Sequence, residues 1–236
     1  MKKTTLALLL VLMLVLSACG ENTIQTETPA STVEQTDAET APEETEEDGS
    51  PLTLGSFDGG IYTNEYLGIG CELDTSWTFN SAETLQELPE NIAELLADTE
   101  LAEDRLAQQI MDMKADNAET LASMNVLYTR VGLQERLVYL TMSDEEIVEA
   151  TLEQADMMKD SYAQAGILVE EMKMVTAEFL GEERVALWTS STMEGIPYYI
   201  LQVFDYHAGQ YGATITASSF MEDTTQQVLN LFYELN

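Results

Sequence analysis

The stretch that decides the fold runs from residue 167 to residue 219 and reads ILVEEMKMVTAEFLGEERVALWTSSTMEGIPYYILQVFDYHAGQYGATITASS. Turn-forming pairs divide it at Gly181-Glu182, Glu194-Gly195 and Ala208-Gly209. The β-branched and aromatic runs between these turns predict four strands with short connections, which is an antiparallel meander. The predicted strands cover residues 167–180, 184–193, 198–206 and 211–219.

A helix is predicted on each side of this meander. Ser143 and Glu146 have the spacing of a capping box, and Gly166 suits a left-handed helix end. The buried stripe of the first helix is predicted to hold Val148, Leu152, Ala155, Met158 and Tyr162. Asp223 begins a predicted last helix, whose apolar face comprises Val228, Leu229, Phe232 and Leu235.

The part of the domain before residue 143 mixes strand and helix signals. Residues 61–79 read as a hairpin with turns at Gly68 and at residues 74–76. Ser81 caps a predicted short helix, and Pro89 begins a second helix that continues to Leu106. Residues 110–115 and 124–131 are predicted strands. Because strands and helices come in separate runs, the sequence predicts an α+β fold with helices packed on an antiparallel sheet.

Aromatic residues are concentrated in the meander. Alternation places Tyr198, Phe204 and Tyr206 on one face of the third strand, while the opposite face is also rather apolar. One interpretation is a tyrosine-lined binding surface formed by these three residues. The other is a strand covered on both faces, whose aromatic side chains belong to the core.

The first twenty residues have the pattern of a secretory signal. Lys2 and Lys3 form a basic start, and residues 6–16 are an unbroken apolar run that is too short to span a membrane comfortably. The run ends in Leu16-Ser17-Ala18-Cys19, which resembles the lipobox of bacterial lipoproteins. The resemblance implies cleavage before Cys19, a diacylglyceryl thioether on that cysteine, and an acyl group such as palmitate on its freed amine. Two or more acyl chains anchor a protein stably.

The chain therefore divides into three predicted parts. Residues 1–18 are a lipoprotein signal peptide, and residues 19–56 are the lipidated cysteine with a disordered linker rich in threonine and glutamate. Such an acidic stretch buries too little apolar surface to offset its chain entropy, and its charges keep it extended. Residues 57–236 are long enough for one globular domain with a sizeable core.

The charge of the chain excludes some classes of partner. Removing Lys2 and Lys3 with the signal peptide leaves 7 basic and 43 acidic residues, a net charge of −36 (7 − 43). Nucleic acid binding is excluded because it needs a positive face that displaces counterions from phosphate. Electrostatic adhesion to anionic lipid is disfavoured for the same reason. The charge is typical of a soluble extracellular protein, and a cationic partner or bound cation is the alternative.

Familiar catalytic and metal motifs are absent from the sequence. His207 is the single histidine, so an HExxH zinc site is excluded, and no nucleophile elbow or phosphate loop occurs. Cys71 is the single cysteine beyond Cys19, which excludes an internal disulfide after lipidation and favours a buried core thiol. Calcium is an alternative because carboxylates abound, although no EF-hand loop is present. We expect no cofactor and no enzymatic activity.

The opening of the domain carries a short motif, Tyr62-Thr63-Asn64, followed by Gly68-Ile69, Leu73 and Trp77. With the predicted element order, it resembles the PsbP/Mog1-like α/β/α sandwich, in which an extended Tyr-x-Asn leads to a Gly-apolar strand and a tryptophan opens the next strand. It also resembles an uncharacterised group of lipoproteins of Gram-positive gut bacteria. Thr75-Ser76 departs from the pattern, which often has proline there. The resemblance implies the fold and no activity.

These observations predict a lipoprotein on the outer face of the cell membrane of a Gram-positive bacterium, held by lipid on Cys19. Its expected role is a non-catalytic binding or assembly module with a partner protein in the envelope. One alternative is a lipoprotein that captures a small ligand or cation for a transporter. The other is an enzyme of unrecognised type.

Overall fold

The computed structural model describes residues 52–80, 84–85, 109–206 and 210–235. Within these ranges the chain forms two antiparallel sheets, of four and seven strands, and four helices. The α+β class predicted from the sequence is therefore confirmed. The predicted signal peptide, Cys19, nearly all of the linker, His207 and most of the two helices predicted from Ser81 and Pro89 lie outside the described residues.

The larger sheet contains the predicted meander as four consecutive neighbours. The strands are β4 (Trp77–Phe79), β5 (Gln109–Asn117), β6 (Ala122–Arg130), β7 (Ile167–Phe179), β8 (Glu182–Met193), β9 (Ile196–Asp205) and β10 (Tyr211–Phe220). Their order in the sheet is β4-β5-β6-β10-β9-β8-β7, and every pair is antiparallel. The observed meander strands agree with the predicted ranges to within about two residues at either end.

The smaller sheet joins the beginning of the domain to its end. Its order is β1-β2-β3-β11, formed by β1 (Ser56–Asp58), β2 (Ile61–Asn64), β3 (Ile69–Glu72) and β11 (Phe232–Glu234). β2 and β3 form the predicted hairpin around Gly68, which has the positive φ of 67° that glycine adopts without strain. β4 does not extend this hairpin, because it pairs with β5 in the larger sheet.

Four helices complete the described fold: α1 (Leu133–Tyr139), α2 (Asp144–Leu152), α3 (Ala155–Gln164) and α4 (Thr225–Leu229). The capping box at α2 is confirmed, since Ser143 Oγ accepts from Glu146 N at 3.3 Å and Ser143 N donates to Glu146 Oε2 at 2.8 Å. Gly166 follows α3 with a φ of 78°, as predicted for a left-handed helix end.

Three details of the helices differ from the sequence predictions. The single helix predicted after Ser143 is broken between α2 and α3 at Glu153 and Gln154. The last helix ends at Leu229, and Phe232 instead begins a strand that pairs with Cys71. The prediction there was wrong because an apolar residue every three or four positions also fits a short helix followed by an edge strand. Helix α1 lies in a stretch for which no element was predicted.

The two faces of the larger sheet bury two separate cores. On one face α1, α2 and α3 cover a helix-side core that includes Tyr139, Val148, Met158, Tyr162 and Leu187. On the other face the smaller sheet and α4 cover an inter-sheet core that includes Tyr62, Cys71, Met113, Val203 and Leu229. β9 contributes to both, which confirms that this strand is covered on both sides.

Candidate functional site

A buried polar network joins the two sheets at the Tyr-x-Asn motif. Alternation along β2 turns Tyr62 and Asn64 toward the larger sheet, where both are fully buried. Their partner is Asp112 in β5, which lies at a β-bulge between Met111 and Met113. The extra residue of the bulge lets both Asp112 and Met113 contact groups on the inter-sheet side.

The hydrogen bonds of this network satisfy the buried carboxylate. Asp112 Oδ2 accepts from Tyr62 Oη at 2.5 Å and from Asn64 Nδ2 at 2.6 Å, and Asp112 Oδ1 accepts from Gly55 N at 2.8 Å. Asn64 Nδ2 also lies 2.8 Å from Tyr128 Oη, and Asn64 Oδ1 accepts from Leu67 N at 2.9 Å. A buried charge with this many donors is well compensated.

Burial also keeps the phenols of the network neutral. It raises the pKa of Tyr62 far above its ordinary value, and the charge of Asp112 adds to that increase. The pKa of Tyr128 is raised mainly by burial, while its hydrogen bond with Asn64 lowers it. Neither phenol supplies a nucleophile or base near neutral pH. The network therefore acts as a structural joint between the sheets.

Exposed apolar residues gather at one end of the larger sheet. Leu121 is 50 % exposed, Leu168 63 %, Ile196 43 % and Met221 65 %. They lie at neighbouring strand ends: Phe220 N donates to Leu121 O, Met221 N donates to Pro197 O, and Leu168 pairs with Thr192, which in turn pairs with Pro197 beside Ile196. Alternation turns Leu168 and Ile196 toward opposite faces of this end of the sheet. We call these four residues the sheet-end patch. Glu119, Glu194 and Glu222 are exposed beside it.

Two members of the sheet-end patch have an unfavourable backbone conformation. Leu121 has a φ of 53° and Met221 a φ of 67°, in the left-handed region that bulky side chains rarely adopt. This conformation costs about 1 kcal/mol or more for a residue other than glycine, asparagine or aspartate. Water-exposed leucine and methionine at such positions gain nothing from burial that would offset the cost. Contact with another molecule would account for apolar side chains at these two positions.

The residues predicted for a tyrosine-lined binding surface lie elsewhere. Tyr198, Phe204 and Tyr206 are all at least 97 % buried, with exposed fractions of 1 %, 3 % and 3 %. Tyr198 stacks on Phe220, and Tyr206 stacks on Tyr139 of α1. Their placement agrees with the second interpretation of this strand, in which the aromatic side chains belong to the core. A partner could reach them only after the helices had moved.

Cys71 is a buried core thiol. Burial raises the pKa of its side chain to about 12 from an ordinary 9.0, although a hydrogen bond with the backbone at Tyr62 opposes the increase. With a pKa of about 12, about one ten-thousandth of the thiol is ionised at pH 8, which is about a thousandth of the thiolate that a pKa of 9 would give. The stability linked to this neutral thiol is present below pH 9 and is lost as the pH rises toward 12.

We expect the Cys71 thiol to be inert in the folded protein. In a Cys19→Ser variant, where Cys71 is the remaining cysteine, reaction with a chromogenic disulfide at pH 8 should be at least about 100-fold slower than in urea, because the thiolate is the reactive form. Absorbance against time measures both rates. Similar rates in both conditions would show that the strand around Cys71 opens readily.

The described residues show no arrangement that indicates a resident metal or a membrane-spanning helix. No group of three or more His, Cys, Asp or Glu side chains in the described ranges is placed to hold a metal ion. Among the same residues, no helix combines the length and the apolarity that crossing a membrane requires. The chain matches no protein-family model, and no curated protein matches it.

Proposed function

We propose that this protein is a lipid-anchored binding module that uses the sheet-end patch to dock on another envelope protein. The anchor in this proposal is the lipid on Cys19, supported by the lipobox at residues 16–19 and the apolar run before it. The linker separates the domain from the membrane. The observation that carries the docking role is an exposed apolar patch whose Leu121 and Met221 have a left-handed backbone.

The chemistry of the patch indicates the kind of partner. Exposed apolar side chains rimmed by carboxylates fit a protein surface that has an apolar centre and basic residues around it. The glutamates at 119, 194 and 222 would speed association with such a surface and would repel an anionic lipid headgroup. This pattern favours a protein partner over direct insertion of the patch into the membrane.

The alternatives have less support among the described residues. A catalytic role would need a titratable group with unsatisfied hydrogen-bonding capacity in a cleft, whereas Asp112 is saturated by its donors. The finer fold assignment, a PsbP/Mog1-like sandwich, is part of this proposal and is supported by the Tyr-x-Asn motif together with the element order predicted from the sequence. In the described part of the chain, the face opposite the three helices carries a smaller sheet and one short helix.

Crosslinking on intact cells tests the docking role. The native lipoprotein should capture one defined envelope protein, identified by mass spectrometry. A Leu168→Glu/Met221→Glu variant should reduce its recovery about tenfold or more, because two of the four apolar contacts would become charges buried at the interface. Both residues are well exposed, so the fold should tolerate the change.

A matched control uses the exposed apolar residues of α1. Leu133 and Leu137 are also well exposed, but α1 follows the end of β6 opposite Leu121. A Leu133→Glu/Leu137→Glu variant should capture the partner as well as the native protein. If the α1 variant lost the partner and the patch variant still captured it, the docking surface would be α1 and not the sheet-end patch. Recovery of nothing above background with the native protein would contradict the binding role.

A further inference from the structure

Strand β7 is a long edge strand of the larger sheet. It covers 13 residues, Ile167–Phe179, and it ends the strand order beside β8. The other edge strands among the described residues, β1, β4 and β11, have three residues each. Short edge strands protect a sheet against pairing with another chain, because an edge presents unpaired backbone N–H and C=O groups. β7 lacks this protection over most of its length.

The turn after β7 determines which of its backbone groups face away from β8. Leu180 and Gly181 form a two-residue turn with φ values of 55° and 78°, and Phe179 pairs with Glu182 across it. The residues that flank such a turn bond to each other, so Phe179 and every second residue before it, back to the β-bulge of β7, bond to β8. The residues between them direct their N–H and C=O groups outward: Met172, Met174, Thr176 and Glu178.

One of these outward positions already has a partner inside the protein. Gln226 Nε2 in α4 donates to Glu178 O at 2.7 Å, and Gln226 Oε1 accepts from Glu178 N at 3.1 Å. The side-chain amide therefore binds Glu178 as a neighbouring strand would. In the ranges that the structure describes, no group bonds to the outward N–H and C=O of Met172, Met174 or Thr176. Thr176 is exposed and both methionines are partly exposed, so another chain can reach this edge.

The accessible part of the edge is bounded on both sides. The bulge between Val169 and Glu171 interrupts the regular strand before it, and the amide of Gln226 blocks Glu178 after it. We call residues 172–176 between these limits the open edge. An antiparallel strand that begins and ends within the same limits satisfies all of its outward groups.

The open edge is complementary to itself about a two-fold axis at Met174, its middle residue. In that register Met174 lies opposite Met174 of the other copy, and Met172 lies opposite Thr176 in both directions. Each of these pairs exchanges both of its backbone hydrogen bonds. The two methionines already pack on the margin of the helix-side core, and a second copy would bury them further.

Charged side chains favour this register over its neighbours. Lys173 lies opposite Val175, and Glu171 lies opposite Ala177, so no like charges are directly opposed. An axis at Lys173 would place the two lysine side chains opposite each other. An axis at Met172 would bring the bulge of each copy against the regular part of the other strand.

We propose that the open edge pairs antiparallel with the open edge of a second copy of this chain, which joins the two larger sheets into one continuous sheet. The contact is small, so the dimer is weak and depends on concentration. The net charge of −34 opposes it, but a Debye length of about 8 Å at physiological ionic strength limits the repulsion to charges near the contact. The open edge contains no residue of the sheet-end patch, and the proposal does not depend on the docking role.

Sedimentation velocity of the full chain with Cys19→Ser measures the association. At about 100 μM we expect a shift from one chain toward two, and added NaCl should favour the dimer because it screens the net repulsion. Adding Thr176→Pro removes an outward N–H and leaves the bonds to β8 intact, so it should weaken association at least tenfold. Thr176→Val keeps that N–H at the same exposed position and should associate as strongly as the chain with threonine.

Disulfide trapping tests the register and does not require the proline variant to fold. Met174→Cys in the same chain would bring two thiols together on residues whose Cα atoms are about 5.5 Å apart, which is within the range of a disulfide. Mild oxidation should then give a covalent dimer on a non-reducing gel. Thr176→Cys is the control, because the two copies of position 176 would lie at least about 13 Å apart along the strands.

Three results would overturn the proposal. The first is a single chain at every concentration, and the second is equal association of Thr176→Pro and Thr176→Val. The third is equal trapping of Met174→Cys and Thr176→Cys, which would indicate random collision. If the chain is monomeric and Thr176→Pro instead lowers partner capture on cells, the open edge receives a strand of that partner and not a second copy.

Discussion

Replacing Asp112 by asparagine is expected to lower the free energy of unfolding by about 3 kcal/mol. The carboxylate accepts from Gly55, Tyr62 and Asn64, using both of its oxygens. An asparagine side chain has one oxygen, and its NH₂ group must face at least one of those donors. One donor is then left buried without an acceptor, and the polar contact between the two sheets is weakened.

Urea denaturation followed by tryptophan fluorescence measures this loss. Asp160→Asn is the matched control, because it makes the same chemical change at an exposed position of α3, where we expect a difference below about 0.5 kcal/mol. If Asp112→Asn cost no more than the control, the network would not be holding the sheets together. Tyr62→Phe should fall between the two variants, since it removes one of the three donors to the carboxylate.

Replacing Cys19 by alanine is expected to release almost all of the protein from the membrane. Lipid attachment needs the cysteine sulfur, and without acyl chains the domain has a net charge that disfavours adhesion to anionic lipid. Fractionation of cells into membrane and medium, followed by immunoblotting, measures the distribution. The native chain should be found almost entirely with the membrane.

Cys71→Ala provides the control for this experiment, because it removes the other cysteine and leaves the lipobox intact. It should remain with the membrane, although the lost side chain in a packed strand lowers stability by about 1 kcal/mol. Retention of Cys19→Ala on the membrane would defeat the lipoprotein proposal.

The meander and its preceding helix cap could be predicted because their signals are local. Each turn at Gly181 and Gly195 is fixed by neighbouring residues, and the capping box at Ser143 involves residues three positions apart. β11 could not be predicted in the same way. Its strand conformation comes from pairing with β3, whose residues lie near the other end of the domain, and the local pattern fits a helix equally well.

The candidate sites were harder to predict than the fold. The motif pointed to Tyr62 and Asn64, but their partner Asp112 reaches them through a bulge that has no local sequence signature. Members of the sheet-end patch come from separate strand ends, and each alone is an ordinary exposed apolar residue. Composition and alternation place the aromatic residues of β9 on one face, but they do not show whether that face is buried, and burial decides whether such residues can contact a partner.

The pairing of β11 with β3 has a consequence for the order in which the chain acquires structure. The meander is built from contacts between neighbouring strands, which form quickly because little chain entropy is lost in closing short loops. The smaller sheet must wait until Phe232 has emerged and met Cys71. For the exported lipoprotein proposed above, the last step of folding would therefore take place at the smaller sheet, and that sheet would stay incomplete until β11 had crossed the membrane.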